Sequence, residues 1–173
     1  MPRAADFSLP ALYEALDARR QARGLSWRQA VLEMSEPFVR GRSRPLSPST
    51  VVGTRTKAVA EGDGVLQMLR WLNRTPESFI PGHPQAADEG VALPAVGPHQ
   101  VLRFDTRRLH AVLDAQRQVR GMTWRQVADD IGGVAESSLT HLAKGGRTGF
   151  PHVARLAGWL GRPVADFTRI TYR

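Results

Sequence analysis

The sequence contains no cysteine. A disulfide framework, a thiolate zinc site and a thiol nucleophile are therefore excluded, because each needs a cysteine side chain. The absence is typical of proteins in a reducing compartment. Lysine is scarce as well: of the 24 basic residues, two are lysines (Lys57 and Lys144) and the rest are arginines. The planar arginine fork suits phosphates and guanine edges better than an ammonium group does.

Long apolar runs are also missing. No stretch approaches the roughly 20 apolar residues that cross a bilayer, and the opening sequence, MPRAADFSLP, lacks the apolar centre of an export signal. The histidines show no metal-ligand spacing, and no nucleophile–base pair or carboxylate dyad stands out. We therefore expect a cytoplasmic, nucleoid-associated chain that is not an enzyme and needs no membrane, metal or cofactor.

Positive charge is the main compositional feature. The chain has 173 residues, 42% of them hydrophobic, and a formal net charge of +8. The hydrophobic fraction is enough for packed cores. The charge favours a polyanionic partner, with nucleic acid ahead of an anionic membrane surface. The alternative is a basic surface that only confers solubility.

An internal repeat organises the chain. The stretch LYEALDARRQARGLSWRQ aligns without a gap with LHAVLDAQRQVRGMTWRQ, which pairs Leu12 with Leu109 at an offset of 97. Further on, Trp71 pairs with Trp159 at an offset of 88. The difference between the offsets means that the first copy carries nine extra residues.

The repeat sets the predicted domain boundaries. The first copy spans 8–80, with a basic insertion near 35–46, and the second spans 103–173. Residues 81–102 are rich in Pro, Gly and Ala and show no helical or strand period, which predicts a flexible linker. The insertion contains Arg40, Arg42 and Arg44. These arginines form either an arm that follows phosphates or enters a minor groove, or a mobile basic loop.

Each copy has the pattern of a small helical bundle. In the second copy, a first helix ends at Gly121, Thr123 caps a second helix, a third begins near Ser137, and Pro151 and Pro163 open a fourth and a fifth. No segment alternates as a strand does. The sequence thus predicts an all-α fold of two five-helix bundles in tandem, related by a pseudo-two-fold internal repeat.

The second copy contains Thr-x-x-x-Val-Ala, a Gly turn, Ser-x-Leu-x-x-Leu-x-x-Gly, and Leu-Gly-x-Pro-x-x-x-Phe. This order resembles the lambda-repressor/Cro-like (XRE-type) helix-turn-helix family, over all of the second copy and most of the first. The resemblance implies that the second helix bridges the DNA backbone and that the third lies in the major groove. It places Trp124 at the DNA backbone. For this ring and for Trp27 we favour the alternative role of a lid that packs on the first helix of the same copy.

Carried over to this sequence, the resemblance assigns three groups of DNA-contacting residues. In the second copy, the phosphate-facing group is Thr123, Trp124, Arg125, Gln126 and Arg147, and the base-facing group is Glu136, Ser137, Ser138, Thr140, His141 and Lys144. In the first copy, whose third helix is predicted over 47–58 with Gly53 in place of His141, the group is Ser26, Arg28, Ser49, Thr50, Thr54, Arg55 and Lys57, together with the insertion arginines.

These observations predict a sequence-specific, double-stranded DNA-binding transcriptional regulator, most simply a repressor. Two unlike recognition helices on one chain, joined by a flexible tether, predict an asymmetric operator. No sensor domain remains, so we expect no small-molecule ligand. Two alternatives stay open: a protein-interaction module of the antitoxin or anti-regulator type, and a nonspecific DNA-coating protein. A homodimer is compatible with each of these functions.

Overall fold

A computed structural model describes residues 6–39, 46–83 and 91–172. These residues are mostly helical, as the sequence predicts, but they also form two small antiparallel sheets of two strands each. The expectation of a purely helical fold is therefore wrong. No helix within the described ranges is long and apolar enough to cross a membrane.

The two halves share an order of elements, to which the second half adds a strand at its start, a 3-10 helix after its third helix and a strand at its end. The first half consists of α1 (Leu9–Ala22), α2 (Trp27–Val39), α3 (Pro48–Gly53), β1 (Ala60–Glu61), α4 (Gly62–Leu72) and a 3-10 helix (Pro76–Phe79). The second consists of β2 (Gln100–Phe104), α5 (Thr106–Val119), α6 (Trp124–Ile131), α7 (Glu136–His141), a 3-10 helix (Leu142–Lys144), β3 (Gly149–Phe150), α8 (His152–Leu160), a 3-10 helix (Val164–Phe167) and β4 (Thr168–Tyr172).

The first helix of each half begins at a matching cap. Ser8 and Asp105 lie 97 positions apart, and each side chain accepts a hydrogen bond from the backbone N–H three residues later. Their own backbone N–H groups donate to Phe79 O (2.8 Å) and Phe167 O (2.7 Å), at the end of the same half. Each half is therefore closed by one bond between its start and its end.

The second helices differ in length because one stop signal is absent. Gly132, at φ 73°, ends α6. The aligned residue of the first half is Ser35, and α2 continues past it to Val39. The Ser35 hydroxyl is buried and accepts from the Leu46 N–H at 2.9 Å. The first part of the predicted insertion is thus helix and not loop, while Arg40, Arg42 and Arg44 lie outside the described residues.

A short ladder joins the halves. Strands β1 and β3 pair antiparallel, with Glu61 opposite Gly149 and Ala60 opposite Phe150. Beyond the ladder, the Gly62 N–H donates to Thr148 O at 2.8 Å. Glu61 and Gly149 lie 88 positions apart, so the repeat alignment already matches them. Each half therefore contributes the aligned segment to the ladder, and the two segments cross at the pair Glu61–Gly149.

Aromatic rings fill the space beside this ladder. Phe150 is fully buried, and its ring centroid lies 4.6 Å from that of Phe7 and 5.4 Å from that of Phe104. Phe7 and Phe104 are themselves 97 positions apart. The Phe104 ring also packs so closely on Gly62 that a Cβ there would lie 2.7 Å from it. The two halves consequently share one core.

The predicted linker ends earlier than expected. Residues 100–102 belong to β2, which pairs with β4 from Gln100 opposite Tyr172 to Phe104 opposite Thr168. Val101 and Leu102 are buried, and Leu102 O accepts from the Gln67 side chain of α4 at 3.0 Å. A freely flexible tether between two independent heads does not fit this packing. Residues 91–99 carry no helix or strand, and 84–90 lie outside the described residues.

We predict that Phe150→Ala lowers the free energy of unfolding by about 3–5 kcal/mol, because it removes a fully buried ring from the shared core. Urea denaturation followed by circular dichroism measures this change. The control is Val119→Ala, at a side chain 83% exposed, which should change stability by less than about 0.5 kcal/mol. Equal, small effects of both substitutions would contradict the shared core.

Candidate nucleic-acid interface

The second half presents a helix, a tight turn and a short helix. Val127 of α6 and Leu139 of α7 are fully buried and hold the two helices together. The turn between them contains Gly132 and Gly133, both at positive φ. The predicted base-facing residues all remain exposed, on α7 and the 3-10 helix that follows it: Glu136, Ser137, Ser138, Thr140, His141 and Lys144.

Hydrogen bonds restrict some of these side chains. The Thr140 hydroxyl donates to Ser137 O at 3.2 Å, which leaves its oxygen free to accept. Thr123 and Gln126 form a capping box, in which each side-chain oxygen accepts the other residue's backbone N–H, at 3.2 Å and 2.8 Å. Ser26 and Gln29 make the same box at the start of α2. These side chains therefore hold the starts of α6 and α2 in place. A phosphate that bound there would meet side chains whose orientation is already fixed.

The two tryptophans at the helix starts pack inward. Trp124 stacks on His110 with the centroids 5.0 Å apart, and the Arg117 guanidinium lies over its ring at 5.1 Å. Trp27 repeats this arrangement with Tyr13 at 5.6 Å and Arg20 at 4.9 Å. The ring faces are thus used to hold the second helix on the first, which is the lid arrangement. Trp124 thereby packs on α5 and stays half-buried.

In the first half, α3 is shorter than predicted and one assigned residue is wrong. The helix ends at Gly53 instead of continuing to 58. Thr54 is fully buried, and its hydroxyl donates to Val51 O at 2.7 Å. At an offset of 88 it takes the place of the inward-facing Leu142. Thr54 therefore belongs to the core and is removed from the predicted contact set.

The other predicted residues of the first half that lie in the described ranges are exposed. Ser49 and Thr50 share a hydroxyl network with Ser47, whose Oγ lies 2.9 Å and 2.8 Å from theirs. Arg55 lies over the Tyr13 ring at 5.8 Å. The remaining exposed members of the set are Ser26, Arg28 and Lys57.

A groove runs between α7 and the joint, by which we mean the β1–β3 ladder and the aromatic rings of Phe7, Phe104 and Phe150 beside it. Its volume is about 630 Å³, and its walls include Ser137, His141 and Arg147 on one side and Glu61 of β1 on the other. The Glu61 carboxylate caps α4, accepting from the Gly64 N–H at 3.0 Å. His152 also lines the groove. Burial lowers its pKa, and the Arg155 cation lowers it further, against the opposing effect of the Asp6 carboxylate.

The basic residues in the described ranges divide into two classes. One class forms salt bridges, and two of these pairs repeat between the halves: Asp17 with Arg20 at 2.6 Å, and Asp114 with Arg117 at 2.7 Å. Arg117 holds the pKa of Asp114 below its usual range, and Arg23 does the same to Glu33. The other class forms no salt bridge with any described residue: Arg19, Arg28, Arg55, Lys57, Arg70, Arg74, Arg107, Arg108, Arg125, Lys144, Arg147 and Arg169.

Arg107 is a member of this unpaired class that the sequence did not indicate. It lies in the first turn of α5, and its guanidinium reaches Lys144 O at 3.4 Å. Gly145, at φ 73°, leaves room for it, since a Cβ there would lie 2.6 Å from Arg107 Nε. Arg107 and Lys144 are 37 positions apart, so only the folded chain brings them together.

Comparison with known proteins gives no match: no family model fits the chain, and no curated protein or solved structure is significantly similar to it. The described residues contain no group of three or more His, Asp or Glu side chains placed to hold a metal ion. The arrangement just described is consequently the main guide to function.

We predict that Thr54→Val leaves the affinity for duplex DNA unchanged and costs about 1 kcal/mol of stability, since one buried hydrogen bond is lost. The neighbouring Arg55→Gln should do the opposite: weaker duplex binding with stability within about 0.5 kcal/mol of the wild type. Fluorescence anisotropy and urea denaturation measure both. A loss of DNA affinity in Thr54→Val at unchanged stability would return Thr54 to the interface.

Proposed function

We propose that the chain is a sequence-specific, double-stranded DNA-binding transcriptional regulator, in which each half acts as a helix-turn-helix head of the lambda-repressor type. One observation carries the proposal: exposed cations that form no salt bridge with a described residue lie next to the exposed hydroxyls of both third helices, with Arg125 of α6, Lys144 and Arg147 in the second half and Arg28 of α2, Arg55 and Lys57 in the first. Arg20 of α1 and Arg117 of α5, by contrast, are neutralised by Asp17 and Asp114.

Phosphate binding falls to the starts of the second helices. Arg28 and Arg125 are aligned residues at the second position of α2 and α6, both exposed. A helix start adds backbone N–H groups and the positive end of its dipole to each guanidinium. Arg147 and Lys144 extend the positive surface of the second half beyond α7. Neutralising phosphates in this way releases counterions, which makes binding steeply salt-dependent.

Base reading falls to the third helices, and these differ. In α7, Ser137, Ser138 and His141 offer donors and acceptors, and Glu136 can accept from a cytosine amino group. In the first half, Ser49 and Thr50 offer hydroxyls, and Arg55 is the side chain suited to guanine. Ser49 and Thr50 align with Ser137 and Ser138 and offer the same hydroxyl chemistry, so the difference between the heads rests on three aligned pairs: Pro48 and Glu136, Gly53 and His141, and Arg55 and Ala143. These unlike pairs support an operator with two unlike halves.

The joint between the halves bears on the spacing of those half-sites. The β1–β3 ladder and the shared aromatic core link the heads through direct contacts, so a fixed spacing replaces the range that a flexible tether would allow. Repression then needs only occlusion of a promoter by the bound chain.

Selection of bound sequences from a random duplex pool at moderate salt tests the proposal directly. An enriched motif with two unlike halves is expected. Salt-sensitive retention without a motif would leave a nonspecific DNA-coating protein. No retention would reject DNA binding.

Two matched double variants test the phosphate contacts. Arg28→Gln with Arg125→Gln should weaken binding on every sequence and reduce the slope of log affinity against log salt by about two. Arg23→Gln with Arg120→Gln is the control, because it removes the same charge from aligned residues that are paired to Glu33 (2.5 Å) and Asp130 (3.9 Å). The control should change the slope by much less. Equal slopes in both double variants would contradict the assignment.

Operator spacing tests the joint. Inserting about five base pairs, roughly half a helical turn, between the selected half-sites should reduce affinity to that of a single half-site, because the second head then faces the wrong side of the duplex. Inserting a full turn leaves both half-sites on the same side of the duplex and increases only the distance between them. This insertion should also reduce affinity to that of a single half-site. Affinity retained with either insertion, measured by anisotropy, would favour flexibly tethered heads.

A protein-interaction module remains the second candidate, and the first half gives a specific reason for it. Leu32 of α2 is 59% exposed and Val52 of α3 is 36% exposed. Apolar side chains on a second and a third helix suit a protein partner better than a phosphate backbone. Salt separates the two candidates, since a packed protein interface responds to salt much less than duplex binding does.

A further inference from the structure

A second cavity lies on the joint, away from the groove beside α7. Its volume is about 550 Å³, and residues of both halves line it. The first half contributes Phe7, Glu77 and Ile80, and the second contributes Trp159 of α8 and Val164. The size falls within the range of small-molecule sites, which are mostly apolar with a few polar groups.

Glu77 is the unusual residue of this cavity. It lies in the 3-10 helix Pro76–Phe79 and is 2% exposed. One carboxylate oxygen, Oε1, accepts from the Val164 N–H at 2.7 Å, across the joint. The other, Oε2, is buried and has no hydrogen-bond partner. A buried acceptor without a donor is costly, and such atoms are uncommon in folded proteins.

The charges around the cavity also favour a cation. Its two arginines are already matched: Arg155 binds Asp6 at 2.6 Å, and Arg162 binds Asp166 at 3.0 Å. The lining carboxylates Glu77 and Asp129 have no salt bridge with the described residues. In a chain of net charge +8, this cavity is therefore locally acidic.

The lining of the cavity also includes apolar side chains. Phe7, Ile80 and Val164 are buried side chains with no polar atom, and Trp159 is held in place by the bond from its indole N–H to Asp130 Oδ2 at 2.7 Å. A ligand that fits both the carboxylates and these side chains has an apolar body, about the size of one or two rings, and an amino group.

From this arrangement we infer that the cavity at the joint is a binding site for a small organic ammonium, whose N–H group donates to Glu77 Oε2 while its apolar body packs beside Trp159. The inference goes beyond DNA binding and does not depend on it. It also departs from the sequence-based expectation that the chain has no small-molecule ligand.

Three probes of the same shape and different charge test the ligand class. Tryptamine carries the ammonium, tryptophol is its neutral hydroxyl analogue, and indole-3-acetate is an anion. Isothermal titration of the full chain, without DNA, should show tryptamine binding at least about tenfold more tightly than tryptophol, as expected for one charge-assisted hydrogen bond, and no binding of the acetate. Equal binding of tryptamine and tryptophol, or no binding of tryptamine, overturns the proposal.

Two substitutions locate the site. Glu77→Gln removes the charge, and it should weaken tryptamine at least about tenfold while leaving tryptophol nearly unchanged. Its control is Glu14→Gln, at an exposed glutamate of α1. Gly158→Leu blocks the cavity without changing charge: Gly158 lies on its wall in α8, and a Cβ there meets no atom within 4 Å. This variant should lose both probes.

A measurement on the wild type keeps the test valid if Glu77→Gln fails to fold. In ¹H–¹⁵N spectra, tryptamine should shift the Val164 amide, which donates to Glu77, and the indole N–H of Trp159. The indole N–H signal of Trp71 should not move, because this group donates to Glu33 of α2 and neither residue lines the cavity. Unchanged Val164 and Trp159 signals at saturating tryptamine overturn the proposal. DNA binding is measured separately, so either proposal can fail without the other.

Discussion

The Phe150 ring is the contact on which the arrangement of the two halves depends. It ends β3, so its backbone is fixed by the ladder to β1, and its side chain lies between Phe7 and Phe104. Those two rings precede the first helices of the two halves. One buried side chain thereby ties together the strand pairing and the starts of both bundles. The ion pair from Asp6 to Arg155 and that from Asp63 to Arg103, at 3.1 Å, cross between the halves beside it.

The position of the candidate interface follows from this joint. Strands β1 and β3 are short, and each lies between a third helix and the helix that follows it. Pairing them brings the segments after α3 and α7 together and gives the groove whose walls include both Glu61 and His141. The ladder thus contributes to placing the two third helices with respect to each other. Under the proposed DNA binding, the fold therefore sets the spacing of the half-sites.

The periodic signals of the sequence predicted much of this structure. The helices of the second half, the cap at Thr123, and the matching order of helices in the first half follow from local propensity and the repeat. Strand β2 gave no such signal, because Val101 and Leu102 are neighbours and both are buried, so the strand does not alternate. Its existence depends on the partner strand β4, which lies 64 residues away at the Phe104–Thr168 pair and 72 residues away at the Gln100–Tyr172 pair.

The errors at the candidate site have the same origin. Thr54 is polar and follows a recognition-type helix, which suggested exposure; the aligned Leu142 already indicated an inward position, and the side chain satisfies its hydroxyl locally. Arg107 could not be assigned from spacing, because its place beside Lys144 depends on how α5 packs against the end of the third helix. The role of a residue can be predicted from the sequence when it follows from the pattern of the residue's own helix. It cannot be predicted in this way when it depends on a contact between helices.

The internal repeat finally separates the residues that maintain the fold from those available for recognition. The set Asp17, Arg20, Trp27 and Trp71 recurs as Asp114, Arg117, Trp124 and Trp159, with the same contacts: Arg20 donates to Leu25 O at 2.8 Å and Arg117 to Met122 O at 2.9 Å. Val51 and Leu139 are the aligned inward residues of the third helices, and both are fully buried. Among the outward residues, Ser49 and Ser137 are identical and Thr50 and Ser138 both carry a hydroxyl, whereas Pro48, Val52 and Gly53 align with Glu136, Thr140 and His141. If both helices bind DNA as proposed and contacted the same half-site, the outward residues would be expected to match. Their divergence at three of these five positions, on an otherwise repeated scaffold, therefore supports the proposal that the two heads contact different sequences.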